Sequence, residues 1–242
     1  MQVEPAKTDP VEDEGRSGDG GLRRRAYDRI EDLLNSGRLR PGQMYSQREL
    51  VELTGATLGA VREAVPRFEA EGLLVAVSRK GLMVPSIDVR FVREAYQVRA
   101  MIERAALADL LARRDAGFVE TLTARQGALA KELAAHGQAP PDDLIDRIQR
   151  EDWAMHEALV SNMSNALLGN IYRVTAIKIR MAVQSRLRVT GSNAQRILRE
   201  HGAILERLEV WDAEGALAAL DRHIGNSLHI ALGGTVDLSE TG

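Results

Sequence analysis

The spacing of apolar positions changes character twice along the chain. From Leu22 to Asn35, residues Ala26, Ile30, Leu33 and Leu34 fall on one helical face, and Gly37 ends the pattern. From Ser46 to Gly72 two shorter helical patterns follow each other. Ser46 with Glu49 has the spacing of a capping box ahead of Leu50, Val51 and Leu53, and Gly55 closes that helix. Thr57 can cap the next, in which Val61, Ala64, Val65 and Phe68 recur at i, i+3, i+4 and i+7 until Gly72. Pro66 inside that helix removes a backbone bond to Arg62 and predicts a kink. Next, LLVAV and LMV flank the polar turn Ser78-Arg79-Lys80-Gly81, which predicts a β-hairpin.

After Pro85 the helical period takes over. It predicts helices near 89–114, 118–135, 142–162, 165–189, 193–211 and 213–232, with breaks at 115–117, 137–141, 163–164, Gly191 and Asp212. The expected architecture is mainly α. An acidic tail at 1–21 is too polar to offset the entropy of ordering, a helix-turn-helix with a hairpin wing occupies 22–85, and a linker lies at 86–88. An all-α helical bundle then fills 89–234.

The opposite face of the second short helix carries Thr57, Gly59 and Arg62, with no apolar partner. In helix-turn-helix proteins those first turns enter the major groove, where an arginine can bond guanine bidentately. A solvated face on a core helix is the alternative. The basic tip Arg79, Lys80 and Gly81 favours DNA, because a wing there can reach phosphates or a minor groove. Charge follows the same division. The net charge is −3, yet residues 22–88 carry 11 basic and 9 acidic side chains. That small excess makes affinity depend on where arginines point and on two copies binding together.

Composition narrows the chemistry. The chain has no cysteine, so disulfides, thiolate metal sites and a cysteine nucleophile are excluded. No apolar run reaches membrane-span length, and the acidic N-terminus is unlike a signal peptide, so a cytoplasmic location with no membrane partner is expected.

Three of the five histidines sit where a histidine is costly. Asp152 and His156, one turn apart, interrupt the stripe Ile145, Ile148, Leu159. His201 lies among Ile197, Leu198, Ile204 and Leu205, and His223 between Leu220 and Ile224. Buried polar groups need partners, so four aimed into one bundle imply that they meet each other or a metal. Three imidazoles and a carboxylate suit zinc or nickel, with manganese also open, and leave coordination positions for water or a small anion. The competing reading is four core side chains each bonded to the backbone. His136, at a helix end, and His229, off its stripe, serve as controls.

The run from Ala26 to Val84, with GRLRPG, SQREL, VREA, EAEGLL and RKGLMV, resembles the winged-helix domain of the GntR family of bacterial transcription regulators. The resemblance implies that Arg48, Thr57, Arg62 and Gly81 occupy DNA-contact positions. Leu58 and Ala60 stand where that family often has an arginine and a proline, so the operator need not match the family's usual one, and Leu58 could touch a thymine methyl. The pattern Val98-Arg99 with Glu103, Asp152 with His156, Ser164-Asn165, Glu200-His201 and Asp221 with His223 resembles the effector-binding FCD domain of the FadR subfamily, over most of residues 89–232. That implies a metal held by Asp152, His156, His201 and His223, and a carboxylate effector completing its coordination. Arg99 would pair the carboxylate, with Asn165 and Arg180 as further ligand candidates.

The expectation is therefore a homodimeric regulator of a palindromic double-stranded DNA operator, acting as a repressor and not as an enzyme, and no catalytic residue is assigned. A metal-dependent hydrolase using the same four residues, or a DNA-binding protein with a purely structural metal, are the alternatives.

Overall fold

The computed structural model describes residues 16–137, 139–186 and 190–236. They form two compact units. The first comprises the described chain to Ser36 together with Gly42–Pro85, and the second Gly37–Pro41 together with the chain from Ser86 onward.

The first unit contains α1 (Arg16–Asn35), β1 (Met44–Tyr45), α2 (Gln47–Thr54), α3 (Leu58–Ala70), β2 (Val75–Val77) and β3 (Gly81–Met83). The capping box forms as the sequence predicts: the Glu49 amide donates to Ser46 Oγ at 3.1 Å, and the Ser46 amide donates to the Glu49 carboxylate at 2.6 Å. Gly55 closes α2 in the left-handed conformation at φ 62°. Thr57 Oγ1 then accepts from the Ala60 amide at 3.2 Å and starts α3. Gly72 makes a Schellman stop, with the Leu73 amide donating to Phe68 O and the Gly72 amide to Glu69 O. The helix runs unbroken from Leu58 to Ala70 through Pro66, whose ring is exposed.

Val61, Ala64, Val65 and Phe68 are buried, as their period requires, as are Ala26, Ile30 and Leu34 of α1, the helix that α3 packs against. The Tyr27 ring stacks on Phe68 with centroids 4.4 Å apart, and the Arg67 guanidinium covers the other side of Tyr27 at 4.0 Å. Burying a side chain such as Phe68 contributes about 1.5–3 kcal/mol. The hairpin pairs Val75 with Met83 and Val77 with Gly81.

Three features depart from the sequence reading. α1 begins at Arg16, so residues 16–21 of the expected disordered tail are helical; once Leu22–Asn35 has nucleated a helix, each further turn fixes few dihedrals for each bond gained. Residues 1–15 of that tail lie outside the described residues. A third strand, β1, completes the sheet order β1-β3-β2. Its two residues are too few to show any alternation. Leu73 and Leu74 are core residues at the end of α3, so the first strand of the hairpin starts only at Val75.

The second unit is six helices: α4 (Val89–Arg113), α5 (Ala116–Ala135), α6 (Asp142–Ser161), α7 (Ala166–Arg186), α8 (Gly191–Glu209) and α9 (Ala213–Ala231). Asp88, Asp115, Thr190 and Asp212 cap α4, α5, α8 and α9, each accepting from the amide three residues on. Gly191, expected to interrupt the chain, instead opens α8 behind its Thr190 cap. Residues 187–189, predicted to end the fourth bundle helix, lie outside the described residues. A core built on Ile102, Leu107, Leu110, Leu159, Ile179, Leu205 and Leu220 joins α4, α6, α7, α8 and α9. Among the described residues no helix is long and apolar enough to cross a membrane.

Candidate metal centre and reading surface

Asp152 and His156 sit one turn apart on α6, His201 on α8 and His223 on α9. All four are buried, and each offers a ligand atom within 4.8 Å of the others. The Nε2 atoms of His156 and His223 are 3.0 Å apart, and Asp152 Oδ1 lies 3.1 Å from His201 Nε2 and 3.6 Å from each of the other two.

The outward nitrogens fix which way the rings present their lone pairs. His156 Nδ1 is 2.7 Å from a Glu103 carboxylate oxygen, His223 Nδ1 is 2.9 Å from Glu200, and His201 Nδ1 is 3.3 Å from Gln126 Oε1. All three are acceptors, so each Nδ1 carries the proton and each neutral ring turns an Nε2 lone pair inward. Three lone pairs and a carboxylate then face one point with nothing to donate. His201 Nε2 and Asp152 Oδ1 have no hydrogen-bond partner. A cation fits this donor set, and a set of satisfied core histidines does not.

Electrostatics agree for two of the three rings, whereas the Glu103 carboxylate raises His156 above the ordinary imidazole range against the effect of its burial. Burial pushes His201 and His223 below the ordinary imidazole range, which keeps their ring nitrogens free to coordinate. Burial alone would raise the Asp152 carboxyl, but the imidazoles of His156, His201 and His223 around it hold it well below the usual range. Glu103 resists its own burial in the same way: Arg99 and His156 lower it to about 2.

Around this centre every bundle helix contributes. Arg99 of α4 is buried and donates from Nε to Glu103 at 2.7 Å, and Tyr172 of α7 donates to the same carboxylate oxygen at 2.6 Å. Both Nη atoms of Arg99 are buried without a hydrogen-bond partner. Glu200 accepts from Asn226 at 2.7 Å and pairs with Arg196, and Gln149 donates to Asp152 Oδ2 at 2.9 Å. Sequence reasoning assigned no role to Gln126, Tyr172 and Glu200. The available signal was a polar residue on an otherwise apolar helix face, and for Glu200 its position beside His201.

Of the other ligand candidates, Arg180 is not a solvated arginine. It is nearly buried, pairs with Glu157, and stands 5.3 Å from the centroid of the Trp153 ring, which also faces Arg99 at 6.0 Å. Asn165 is elsewhere: it is exposed at the start of α7, where its Oδ1 accepts from the Leu168 amide at 3.1 Å. That is a cap at the start of α7. His136 and His229 are both exposed and stand apart from the cluster.

In the first unit, Gly59 and Arg62 are exposed on the first turns of α3, with Arg62 Nε donating to Gln47 Oε1 at 3.2 Å. A Cβ at Gly59 would meet nothing within 4 Å, so the fold itself does not need glycine there. Arg48 is largely exposed on α2, 3.9 Å from Glu52, and Arg79 and Lys80 are exposed at the hairpin tip. Gly81 has a reason internal to the fold: at φ 113° a Cβ would lie 2.6 Å from the Tyr45 carbonyl oxygen of β1.

Comparison with known proteins follows this division. Residues 22–84 match the bacterial regulatory proteins of the gntR family, and residues 94–226 match the FCD domain. The chain belongs to the GntR family of transcriptional regulators and carries an FCD effector domain. It is 28% identical to the HTH-type transcriptional regulator YdhC of Bacillus subtilis over 191 residues, covering 78% of this chain and 82% of that one. It is 23% identical to the Nta operon transcriptional regulator of Aminobacter aminovorans over 82% of this chain and 91% of that one. The fold is shared with McbR/YncC of E. coli at a TM-score of 0.76 and 17% identity, over 88% of this chain and 97% of that one. A GntR regulator from Rhodococcus sp. RHA1 gives a TM-score of 0.66, also at 17% identity, over 89% and 100%. These families and relatives are DNA-binding transcriptional regulators, not enzymes.

Proposed function

We propose that this chain is a repressor of the FadR subfamily that acts in the cytoplasm as a homodimer. Two copies of the reader at 22–85 hold a palindromic operator. Each is joined through residues 86–88 to an effector domain at 89–234, where a small organic acid at a divalent ion, zinc first with nickel or manganese as alternatives, lowers operator affinity.

The observation that carries this reading is the set of three inward Nε2 lone pairs and Asp152 Oδ1 around one point, beside an arginine whose two Nη atoms are unpaired. A bound divalent ion would supply a Lewis-acidic point with positions open to a carboxylate. Arg99 presents a planar fork matched to the same carboxylate, already fixed by Glu103 through Nε. Arg180 and the Trp153 ring are the neighbouring ligand contacts. Against the hydrolase alternative, the two carboxylates beside the histidines are already engaged: Glu103 is held by His156, Arg99 and Tyr172, and Glu200 by His223, Asn226 and Arg196. For DNA, Arg62 and Gly59 face the groove, with Thr57 at the helix start, and Arg48, Arg79, Lys80 and Gly81 supply backbone contacts.

An acid can change operator affinity only by as much as it prefers one arrangement of the protein over another. Metal analysis of the purified protein, followed by operator titrations with and without a panel of mono-, di- and tricarboxylates, tests the reading. Metal at one ion per chain and an acid that weakens operator binding at least about tenfold support it. Metal without any acid response would leave the ion a structural role, and no metal would remove the site.

A further inference from the structure

We propose that a cavity between the start of α5 and the turn joining α8 to α9 is a second ligand site, taking a small organic cation with an apolar body. The site shares no residue with the metal centre and stands whatever that centre binds. Ala116, Val119, Glu120 and Thr123 recur at i, i+3, i+4 and i+7, so they share one face of the first turns of α5. Gln126 meets His201, and Leu133 shares a buried cluster with Ala194 and Ile197, so α5 and α8 run antiparallel. The start of α5 therefore lies beside the end of α8, where Glu209 and Trp211 complete an open cavity of about 400 Å³. Glu209 is two turns beyond His201, about 12 Å along α8.

The polar groups at this cavity are unanswered by the protein. Thr123 Oγ1 is buried and makes no hydrogen bond. A helical threonine commonly turns its hydroxyl to the carbonyl four residues back, as Thr121 does to Gly117 and Thr175 to Ile171, both at 2.8 Å. Thr123 does not. The Glu120 and Glu209 carboxylates, both exposed, have no ion-pair or hydrogen-bond partner among the described residues. Elsewhere in the bundle an arginine of a neighbouring helix answers the acid: Arg125 pairs with Glu151, Arg147 with Glu132 and Arg104 with Asp221. No basic residue lines the cavity.

This chemistry selects the occupant. Two carboxylates attract a cation and repel the organic acids proposed for the metal centre. The Trp211 indole adds attraction for an ammonium group, and the Thr123 hydroxyl can accept one of its hydrogens. Val119 and the alanines give an apolar wall for the rest of the molecule, in a volume of the size that small-molecule sites have. The positive end of α5 does not reverse this preference, because Asp115 already occupies it, with Oδ1 accepting from the Phe118 amide at 3.1 Å. Residues 1–15, with five acids against one lysine, carry the wrong sign to fill the cavity.

Calorimetric titration of the full chain with phenethylamine and hexylamine at neutral pH tests this, with phenethyl alcohol as the uncharged twin. At least one amine should bind saturably, one per chain, at millimolar concentration or below, and the alcohol at least about tenfold more weakly. Glu120→Gln combined with Glu209→Gln keeps both shapes and removes both charges, at exposed positions where folding is not at stake. It should weaken the amine at least about tenfold, with helix content unchanged. Glu52→Gln combined with Glu63→Gln removes the same charge from exposed positions of the first unit and should leave amine affinity intact. Thr123→Val should weaken the amine and spare any residual binding of the alcohol. No saturable binding of either amine, equal binding of the alcohol, or full amine affinity in the Glu120 and Glu209 double variant would each overturn the site. An equal loss in the Glu52 and Glu63 double variant would overturn it too, by showing attraction to net charge alone.

Discussion

His156 Nδ1 lies 2.7 Å from the Glu103 carboxylate, and both side chains are buried. Because Glu103 is also held by Arg99 and Tyr172, the contact links α4 and α7 to the side of α6 that carries Asp152 and His156. The carboxylate fixes the tautomer of His156 and raises the basicity of its Nε2. Glu103→Gln keeps the shape and loses the charge. It should lower metal affinity about 10–100-fold, measured by competition with a chelator. Unchanged affinity would show that Glu103 serves Arg99 alone.

The same carboxyl sets an acid dependence. Folding lowers it from its ordinary 4.5 to about 2, so the stability it contributes is fully present above about pH 4.5 and lost as pH falls toward 2. Between those values the unfolded chain binds a proton that the native chain does not. Metal-free wild type should therefore lose stability more steeply from pH 5 to 3 than metal-free Glu103→Gln, by the slope of one proton. Parallel urea-midpoint curves would contradict the assigned shift.

If the four inward groups share one ion, replacing His156, His201 or His223 by alanine should each lower bound metal. His136→Ala and His229→Ala, both exposed, should leave it intact. Losing the ion should also lower thermal stability, since a ligand at 100 times its Kd stabilises the native state by about 2.7 kcal/mol. Full metal content in all three ligand-histidine variants would end the site.

Most of this centre was legible because buried polar residues on an apolar helical stripe are conspicuous: Asp152, His156, His201 and His223 each break a run of leucines and isoleucines. The helices were legible for the same reason, through period and caps such as Ser46 and Asp212. What surrounds these four side chains was not. Gln126 and Tyr172 lie on helices remote in sequence from the histidines, and only the packing of α5, α7 and α8 brings them in. Asn165 shows how one side chain serves two readings, since its Oδ1 accepts from the Leu168 amide at the start of α7. β1 was invisible because pairing with β3, not any local preference, makes Met44 and Tyr45 extended.

Arg99 separates effector binding from metal binding. Arg99→Ala would leave Glu103 buried without its cation, a change that costs about 3–5 kcal/mol and confuses folding with function. Arg99→Lys keeps the charge and removes the fork. It should retain metal while weakening the response of operator binding to the acid at least about tenfold. A normal response in a metal-loaded Lys variant would remove Arg99 from the ligand site.

On the reading surface, Arg62→Ala should cost specific operator binding about 1–3 kcal/mol without altering metal content. Lys80→Ala should weaken binding to all sequences alike and reduce its salt dependence. An Arg62 variant with unchanged operator affinity would displace α3 from the groove, and a Lys80 loss confined to one operator would contradict a phosphate contact.

The two glycines of the reader should fail in opposite ways. Gly59 lies in a helix with open space where a Cβ would be, so Gly59→Ala should stabilise the domain by up to about 1 kcal/mol. Any loss of operator affinity in that variant must then come from DNA approaching the α3 backbone. Gly81 has φ 113° and no room, because a Cβ would stand 2.6 Å from the Tyr45 carbonyl oxygen, a backbone atom that cannot swing aside. Gly81→Ala should therefore destabilise the sheet by about 1–3 kcal/mol and loosen the wing before any DNA is present. Thermal melts and operator titrations of both variants decide the assignment. A Gly81→Ala domain as stable as wild type but deficient in DNA binding would make Gly81 a DNA contact first, and a Gly59→Ala protein with full operator affinity would place the duplex away from that turn of α3.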